Sequence, residues 1–316
     1  MEGNKLIASS SPHIRSEETT QRIMLDVIIA LVPALIASVY FFGIHALLLE
    51  LVSIITAIVS EYICQKIMKR PATIGDLSAV VTGLLLAFNM PATAPLWLPI
   101  IGSAFSIIVA KQLFGGLGNN FINPALAGRA MMMASWPVLM MNFNLAPTGV
   151  DAVVSATPLA ILKGTAVGMD LPPLFDMFIG KIPGCMGETS ALLLVIGGIY
   201  LIYRKVISWR IPVTYIGVVA ILALITEGSL ELMAYHIFGG GLMLGAFFMA
   251  TDYASSPTSP KGQFVYAALA GCLTMLIRQL GGYPEGVSYS ILLVNLVAPL
   301  LDKYMAPKVF GTGGKK

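Results

Sequence analysis

The sequence predicts an all-α integral membrane protein of about ten transmembrane helices, arranged as two inverted-topology five-helix repeats with some helices broken. Three observations predict it. The 316 residues are 57% hydrophobic and only 11% charged, with a mean hydropathy of +0.84, whereas a soluble domain carries about 25% charged residues. Long apolar blocks recur along the whole chain, and two stretches of sequence echo each other. A water-soluble fold needs a charged skin that this composition does not supply.

A helix that crosses the bilayer needs about 17–25 apolar residues. Blocks of this kind lie near 23–43, 46–64, 76–91, 95–113, 121–141, 188–203, 211–226, 230–250, 263–280 and 286–302. The third, sixth and seventh are short for a straight crossing, which suggests helices that break partway. Residues 1–22 are polar, and Arg15 and Arg22 precede a first apolar block that is too long for a signal peptide and is expected to be retained. Cationic residues gather in cytoplasmic loops. With the N-terminus inside, Lys5, Arg15, Arg22, Lys66, Lys69, Arg70, Arg204, Lys205, Arg210, Lys261, Lys303, Lys308, Lys315 and Lys316 fall on the inner side. Only Lys163 and Lys181 fall on the outer side, while Lys111, Arg129 and Arg278 lie within or beside spans. Both termini are therefore expected in the cytoplasm, in a multi-pass protein of the cell's inner membrane.

The internal echo pairs "GLLLAFNMPATAP" (83–95) with "GAFFMATDYASSP" (245–257) without a gap, setting Gly83 against Gly245, Ala92 against Ala254 and Pro95 against Pro257. "KQLFGG" (111–116) is answered by "RQLGG" (278–282). Five crossings separate the copies, so they run in opposite directions through the membrane. Inverted repeats with interrupted helices build their sites where the repeats meet. The expected organisation is a cytoplasmic segment 1–22, a first repeat 23–141, an extracytoplasmic loop 142–187, a second repeat 188–302 and a cytoplasmic tail 303–316.

Ionisable groups inside spans are costly and face the bundle interior or water. Glu50 and Glu61 fall in the second span, Arg129 in the fifth, Asp252 at the end of the eighth and Arg278 in the ninth. Glu61 and Arg278 lie near span ends, where snorkelling or a helix-end pair is the expectation. Arg129 lies deeper, and Asp252 closes a broken-helix motif that suits a cofactor or an ion. The three cysteines, Cys64, Cys185 and Cys272, are scattered, so neither a disulfide framework nor a metal site is expected. His45 and His236 have no companions at ligand spacing. "FGGLGNNFINP" (114–124) lacks the GK[ST] ending of a phosphate loop and follows a membrane helix rather than a strand. Its glycines are expected to allow a tight turn or the close approach of a flat ligand. The positive charges serve topology, and no nucleic-acid partner is expected.

Three stretches carry a resemblance: "SPHIRSEETTQRIMLDVIIALVPALIASVYFFG", "KQLFGGLGNNFINPALAGRA" and "FMATDYASSPTSPKGQFVYAALAG". Together they resemble the RnfD/NqrB family of flavin-carrying membrane subunits over essentially the whole chain. The short outer loop and the N-terminus are nearer the RnfD branch. The resemblance implies a fold like that of urea-type transporters and a threonine in an outer loop that carries FMN through a phosphoester. That pattern runs Asp, two variable positions, Ser/Thr, Gly/Ser, Ala, Thr. Here Asp151 opens it, Ser155 and Ala156 follow, and Thr157 falls on the acceptor, while Val154 stands where a hydroxyl residue is usual. Pro158 and Leu159 would set the turn beyond the acceptor, and Lys163 or Arg129 would offset the phosphate charge. A second flavin, noncovalent riboflavin, is implied within the spans, with Gly115, Gly116, Asn120, Asn123 and Asp252 as its candidate cleft.

The function implied is that of a subunit of an Rnf-type complex. Such a complex moves electrons between ferredoxin and NAD+ and couples the transfer to Na+ or H+ translocation. The implied partners are RnfG-, RnfC-, RnfA-, RnfE- and RnfB-like subunits and membrane lipid, with no catalytic side chain in this chain itself and no activity expected from it alone. Two other readings stay open on the residues alone: an NqrB-like subunit that delivers electrons to quinone, and a channel or secondary transporter built from inverted repeats.

Overall fold

Residues 18–143, 156–165, 169–188 and 190–306 are described by a computed structural model of the protein. Thr19 starts helix α1 (Thr20–Phe42) by accepting a hydrogen bond from the Arg22 amide at 3.2 Å. Gly43, at φ +80°, is the whole connection to α2 (Ile44–Ile67); a residue with a Cβ is disfavoured there. Helix α3 (Ser78–Phe88) is short, and α4 (Trp97–Ile107) continues as a π turn over Ile108–Gln112. Asn123 caps α5 (Pro124–Ser135), which gives way at Trp136 to α6 (Pro137–Met140).

The segment expected as an outer loop holds helices of its own, α7 (Pro158–Leu162) and α8 (Leu174–Ile179), and a 3₁₀ turn over Met186–Glu188. There follow α9 (Ala191–Tyr203), α10 (Arg210–Glu227) and α11 (Leu230–Phe238). Helix α12 (Leu242–Leu244) runs into a π turn over Gly245–Met249. The chain ends its described part with α13 (Pro260–Leu280) and α14 (Val287–Met305).

Helices α1, α2, α10 and α13 are each long and apolar enough to cross a membrane, and α11 with α12 makes a fifth span bent by 60° at its break. The protein is an all-helical, multi-pass membrane protein. Of the three blocks read as short, the third and sixth form helices of 11 and 13 residues, while the seventh makes a full 18-residue helix. The sharp break falls in the eighth block, where Gly239, Gly240 and Gly241 interrupt the helix and the last two hold φ near +65° and +68°.

The exterior is apolar and much of the polar inventory is inside. Ile36, Tyr40, Ile225 and Leu280 point outward from their helices, an arrangement that suits hydrocarbon rather than water. Leu31, Leu49, Phe88, Tyr215 and Tyr266 are fully enclosed, but so are Glu50, Glu61, Lys111 and Asn295. Helix α2 packs on α3 and α4, α10 on α13 and α11, and α1 on α9. Gly83 lets α3 touch α2, since a Cβ there would stand 2.8 Å from the Ile54 Cα; the Ser53 hydroxyl donates to the Gly83 carbonyl at 2.6 Å across the same crossing.

Two expectations about charged residues are corrected. Glu61 and Arg278 do not snorkel: they are 0% and 3% exposed. Glu61 is met at 2.8 Å by the equally buried Lys111 ammonium and at 2.6 Å by the Gln112 amide. The reason lies in α4, whose π turn carries Lys111 and Gln112 inward toward α2. Position near a helix end does not reveal such a cross-helix partner.

Candidate flavin cavity

Thr157 is the N-cap of α7: its Oγ1 accepts from the Ala160 amide at 3.4 Å, and Pro158 follows at the first helical position. Proline suits that position because its φ is preset and no amide hydrogen is needed. The cap occupies an acceptor site of the hydroxyl and leaves its proton free for other partners. Although only 6% exposed, Thr157 lines a cavity of about 390 Å³ together with Ala156, Arg129, Met133, Phe143, Tyr283, Glu285 and Tyr289. Tyr283 and Tyr289 stack with centroids 5.6 Å apart and planes 24° from parallel. A volume of that order, walled by aromatic and thioether groups with a few converging polar ones, is that of a small-molecule site.

Lys163, at the far end of α7, donates from Nζ to the carbonyl of Gly281 and, at 3.3 Å, to that of Tyr283. This ties α7 to the turn before α14 and closes one side of the cavity. Partial burial pushes the Lys163 ammonium below the usual lysine range. Pro158 and Leu159 are buried beneath the hydroxyl. Leu159 packs at the Gly239–Gly240 break, so the loop and the broken helix share one seam.

A buried polar network forms the cavity floor. The Arg129 guanidinium donates to Asn89 Oδ1 at 2.6 Å, pairs closely with Glu285, and reaches Cys185 Sγ at 3.7 Å. Cys185, Glu188 and Glu285 bring ligand-type atoms within 4.8 Å of one another, but the cation among them is Arg129 itself. Arg278 donates to three main-chain carbonyls, those of His236 at 2.5 Å, Gly239 at 3.1 Å and Glu285 at 2.9 Å. It thereby satisfies acceptors freed where α11 stops. Broken backbone at membrane depth needs such partners.

The other candidates are elsewhere. Asn120, Asn123 and Asp252 do come together, in a second cavity of about 80 Å³ that Lys111 and Ser78 also line. The Asn120 amide faces Asp252 Oδ2 at 3.4 Å, and the Asn123 amide donates to the Met249 carbonyl at 3.3 Å. Gly115 and Gly116 do not line that space. With φ of +124° and +92° they make the turn that follows the π segment, which accounts for the glycines without a ligand. Ser155, like Asp151 and Val154, lies outside the described residues. Reading the sequence missed Asn89, Cys185, Glu188, Glu285 and the two tyrosines. The available signal was acids set in glycine turns, "GCMGE" and "YPEG", at the edges of spans.

Comparison with known proteins gives a consistent picture. The family model described as "NQR2, RnfD, RnfE family" matches residues 7–311. The D subunit of a Na+-translocating ferredoxin:NAD+ oxidoreductase complex from Acetobacterium woodii is 52% identical, over 97% of this chain and 95% of its own. The D subunit of a proton-translocating ferredoxin:NAD+ oxidoreductase complex from Clostridium ljungdahlii is 48% identical, over 98% and 97%. The D subunit of an ion-translocating oxidoreductase complex from Yersinia pseudotuberculosis is 36% identical, over 96% and 97%. With nearly its whole length matched by the family model and by relatives of this similarity, the chain belongs to the NQR2, RnfD, RnfE family.

Proposed function

We propose that the protein is the D-type membrane subunit of an ion-translocating ferredoxin:NAD+ oxidoreductase, working beside the other Rnf-type subunits and relaying electrons through FMN esterified to Thr157. The subunit assignment draws on relatives named for that complex and matched almost end to end. The flavin assignment draws on one observation above all: the hydroxyl that the family pattern singles out lines a cavity of about 390 Å³ with a stacked tyrosine pair and a buried arginine. When bound, the flavin supplies the one- and two-electron chemistry, and the protein supplies position and local field.

The chain's own residues have definable tasks there. Thr157 fixes the attachment point at a helix cap whose geometry Pro158 presets. Tyr283, Tyr289, Met133 and Phe143 offer the apolar surface against which a flat ring system is held and water excluded. Arg129 presents positive charge at the wall, and Lys163 anchors α7 so that the hydroxyl keeps its place. A noncovalent riboflavin within the spans belongs to the same reading, with Asn120, Asn123 and Asp252 at the second cavity as its candidate contacts.

The reading includes ten crossings in two inverted five-helix repeats, a fold like that of urea-type transporters, with both termini in the cytoplasm. Corresponding helices pack on corresponding partners, which supports it: α2 on α4 as α10 on α13, α2 on α3 as α10 on α11, and α4 on α5 as α13 on α14. The matched pairs α1 with α9 and α5 with α14 also meet each other. Reporter fusions after Lys69 and Gly164 test the orientation; equal sidedness of the two overturns it.

The test of the flavin is ultraviolet fluorescence of the denatured subunit, purified from cells that flavinylate, with intact mass measured on the same sample. Wild type is expected to fluoresce and to carry one added FMN, and Thr157→Ala to lose both. A dark, unmodified wild-type chain rejects the assignment.

A further inference from the structure

Glu188 stands apart from the other buried charges around the cavity. It sits in the 3₁₀ turn before α9 and is 6% exposed. Its Oε2 accepts a long bond, 3.4 Å, from the Cys185 amide, and its Oε1 has no hydrogen-bond partner among the described residues. Oε1 lies over the helix break, where a Cβ on Gly241 would be 2.8 Å away. A buried carboxylate oxygen without a partner is expensive to keep charged.

Helices α3 and α12, which pack on its turn, carry no ionisable side chain, and Arg22 and Asp26 of α1 are paired with Glu18 and Arg204; the charges facing it come from farther elements. Arg129 approaches from α5, Arg278 from α13 and Glu285 from the turn before α14, with the Cys185 thiol from its own turn. Helix α11 offers His236, already paired with Glu227 at 3.4 Å. Two arginines and two carboxylates balance, and the partners are unevenly shared. Arg129 is committed to Glu285, Asn89 and Cys185, and Arg278 is spent on carbonyls. Glu285 and Arg129 line the cavity while Glu188 and Cys185 stand behind them. Among the described residues, negative charge brought into the cavity therefore meets a floor with no uncommitted cation and one carboxylate ready to be neutralised.

We propose that Glu188 takes up a proton when an electron enters the Thr157 cavity, so that electron arrival on the outer side is compensated by a proton held at Glu188 Oε1. This rests on the reading of that cavity as the flavin site. The electron comes from a reduced carrier of a neighbouring subunit and the proton from outer water by way of the cavity. One O–H bond forms as the carboxylate becomes the neutral acid, no bond of the chain breaks, and the proton leaves when the electron moves on. Glu285 is already paired with Arg129.

Burial, and then the Glu285 charge, push the Glu188 carboxyl up to about 8, so the test is redox-difference infrared spectroscopy of the whole purified complex in H₂O and D₂O on the alkaline side of that value, where Glu188 is ionised before reduction. Reduction is expected to raise a carboxylic-acid carbonyl band that shifts in D₂O. The band is expected to vanish in Glu188→Gln, to move in Glu188→Asp and to persist in Glu285→Gln. It is also expected to be missing from Thr157→Ala complex, which separates this site from other flavins. Absence of the band in flavin-loaded wild type, or its survival in Glu188→Gln, overturns the proposal and leaves the flavin assignment standing. If the Gln variant fails to assemble, an unmoved band in Glu188→Asp overturns it equally. A wild-type chain that is dark under ultraviolet light rejects both.

Discussion

Replacing Arg129 with methionine tests whether the network under the cavity is an ion-paired unit. Methionine keeps much of the length and bulk of the side chain, so packing loss is small compared with loss of charge. The change strips the Glu285 carboxylate, 12% exposed, of its partner and leaves the Asn89 oxygen without its 2.6 Å donor. Breaking one side of a buried pair costs about 3–5 kcal/mol, and an orphaned buried acceptor costs about 1–3 kcal/mol. The two overlap because Asn89 and Glu285 share one guanidinium, so about 4–6 kcal/mol is expected. Arg129→Met/Glu285→Gln removes the stranded charge as well and should cost about 2–3 kcal/mol less than the single change. Unfolding of the full-length chain in mixed micelles, followed by circular dichroism across a denaturant titration, reads both. A single-variant cost under about 1 kcal/mol, or a double variant no more stable than the single, refutes the picture of Arg129 as the cation that balances Glu285.

Two further outcomes follow from the helix packing. Gly83→Ala forces a methyl against the Ile54 backbone, and overpacking of this kind costs about 1–3 kcal/mol, visible as a lower unfolding midpoint in the same titration. Glu61→Ala strands the fully buried Lys111 ammonium with Ser78 as its remaining partner, at 2.6 Å, and should lower the amount of folded protein in membranes severely. Glu61→Ala/Lys111→Met should restore much of it, as judged by quantitative immunoblotting; no rescue argues against the pair.

The helix inventory was legible because apolar length is a one-dimensional property. Every apolar block holds at least one helix, and the triple glycine at 239–241 visibly marks the break in the eighth. What a line of residues hides is who meets whom. Lys111 and Glu61 are 50 positions apart, and Arg129 and Glu285 are 156 apart, so neither pair has a local signature. Thr157 was singled out through a resemblance and not through its chemistry, since a loop hydroxyl looks like any other; the structure adds that it lines a cavity. Gly115 and Gly116 carry a double signal for the opposite reason. Their backbone requirement, a positive φ, leaves the same mark in sequence as a ligand that needs close approach.

The broken helix explains why the loop and the cavity occupy the same end of the bundle. Stopping α11 at Phe238 frees carbonyls that hydrocarbon cannot satisfy, and Arg278 answers by bonding those of His236 and Gly239. The same guanidinium also holds the Glu285 carbonyl, which fixes the turn that carries Tyr283 and Glu285 to the cavity wall. Leu159 fills the space left bare by Gly240 and so draws α7, with Thr157 at its cap, onto the break. Any side chain at Gly240 would strike both Leu159 and the Arg278 guanidinium at a φ that disfavours it. The glycine break, the arginine that stabilises it and the threonine above it thus form one mechanical unit. The position of the Thr157 hydroxyl is set by a discontinuity in the membrane helix below it.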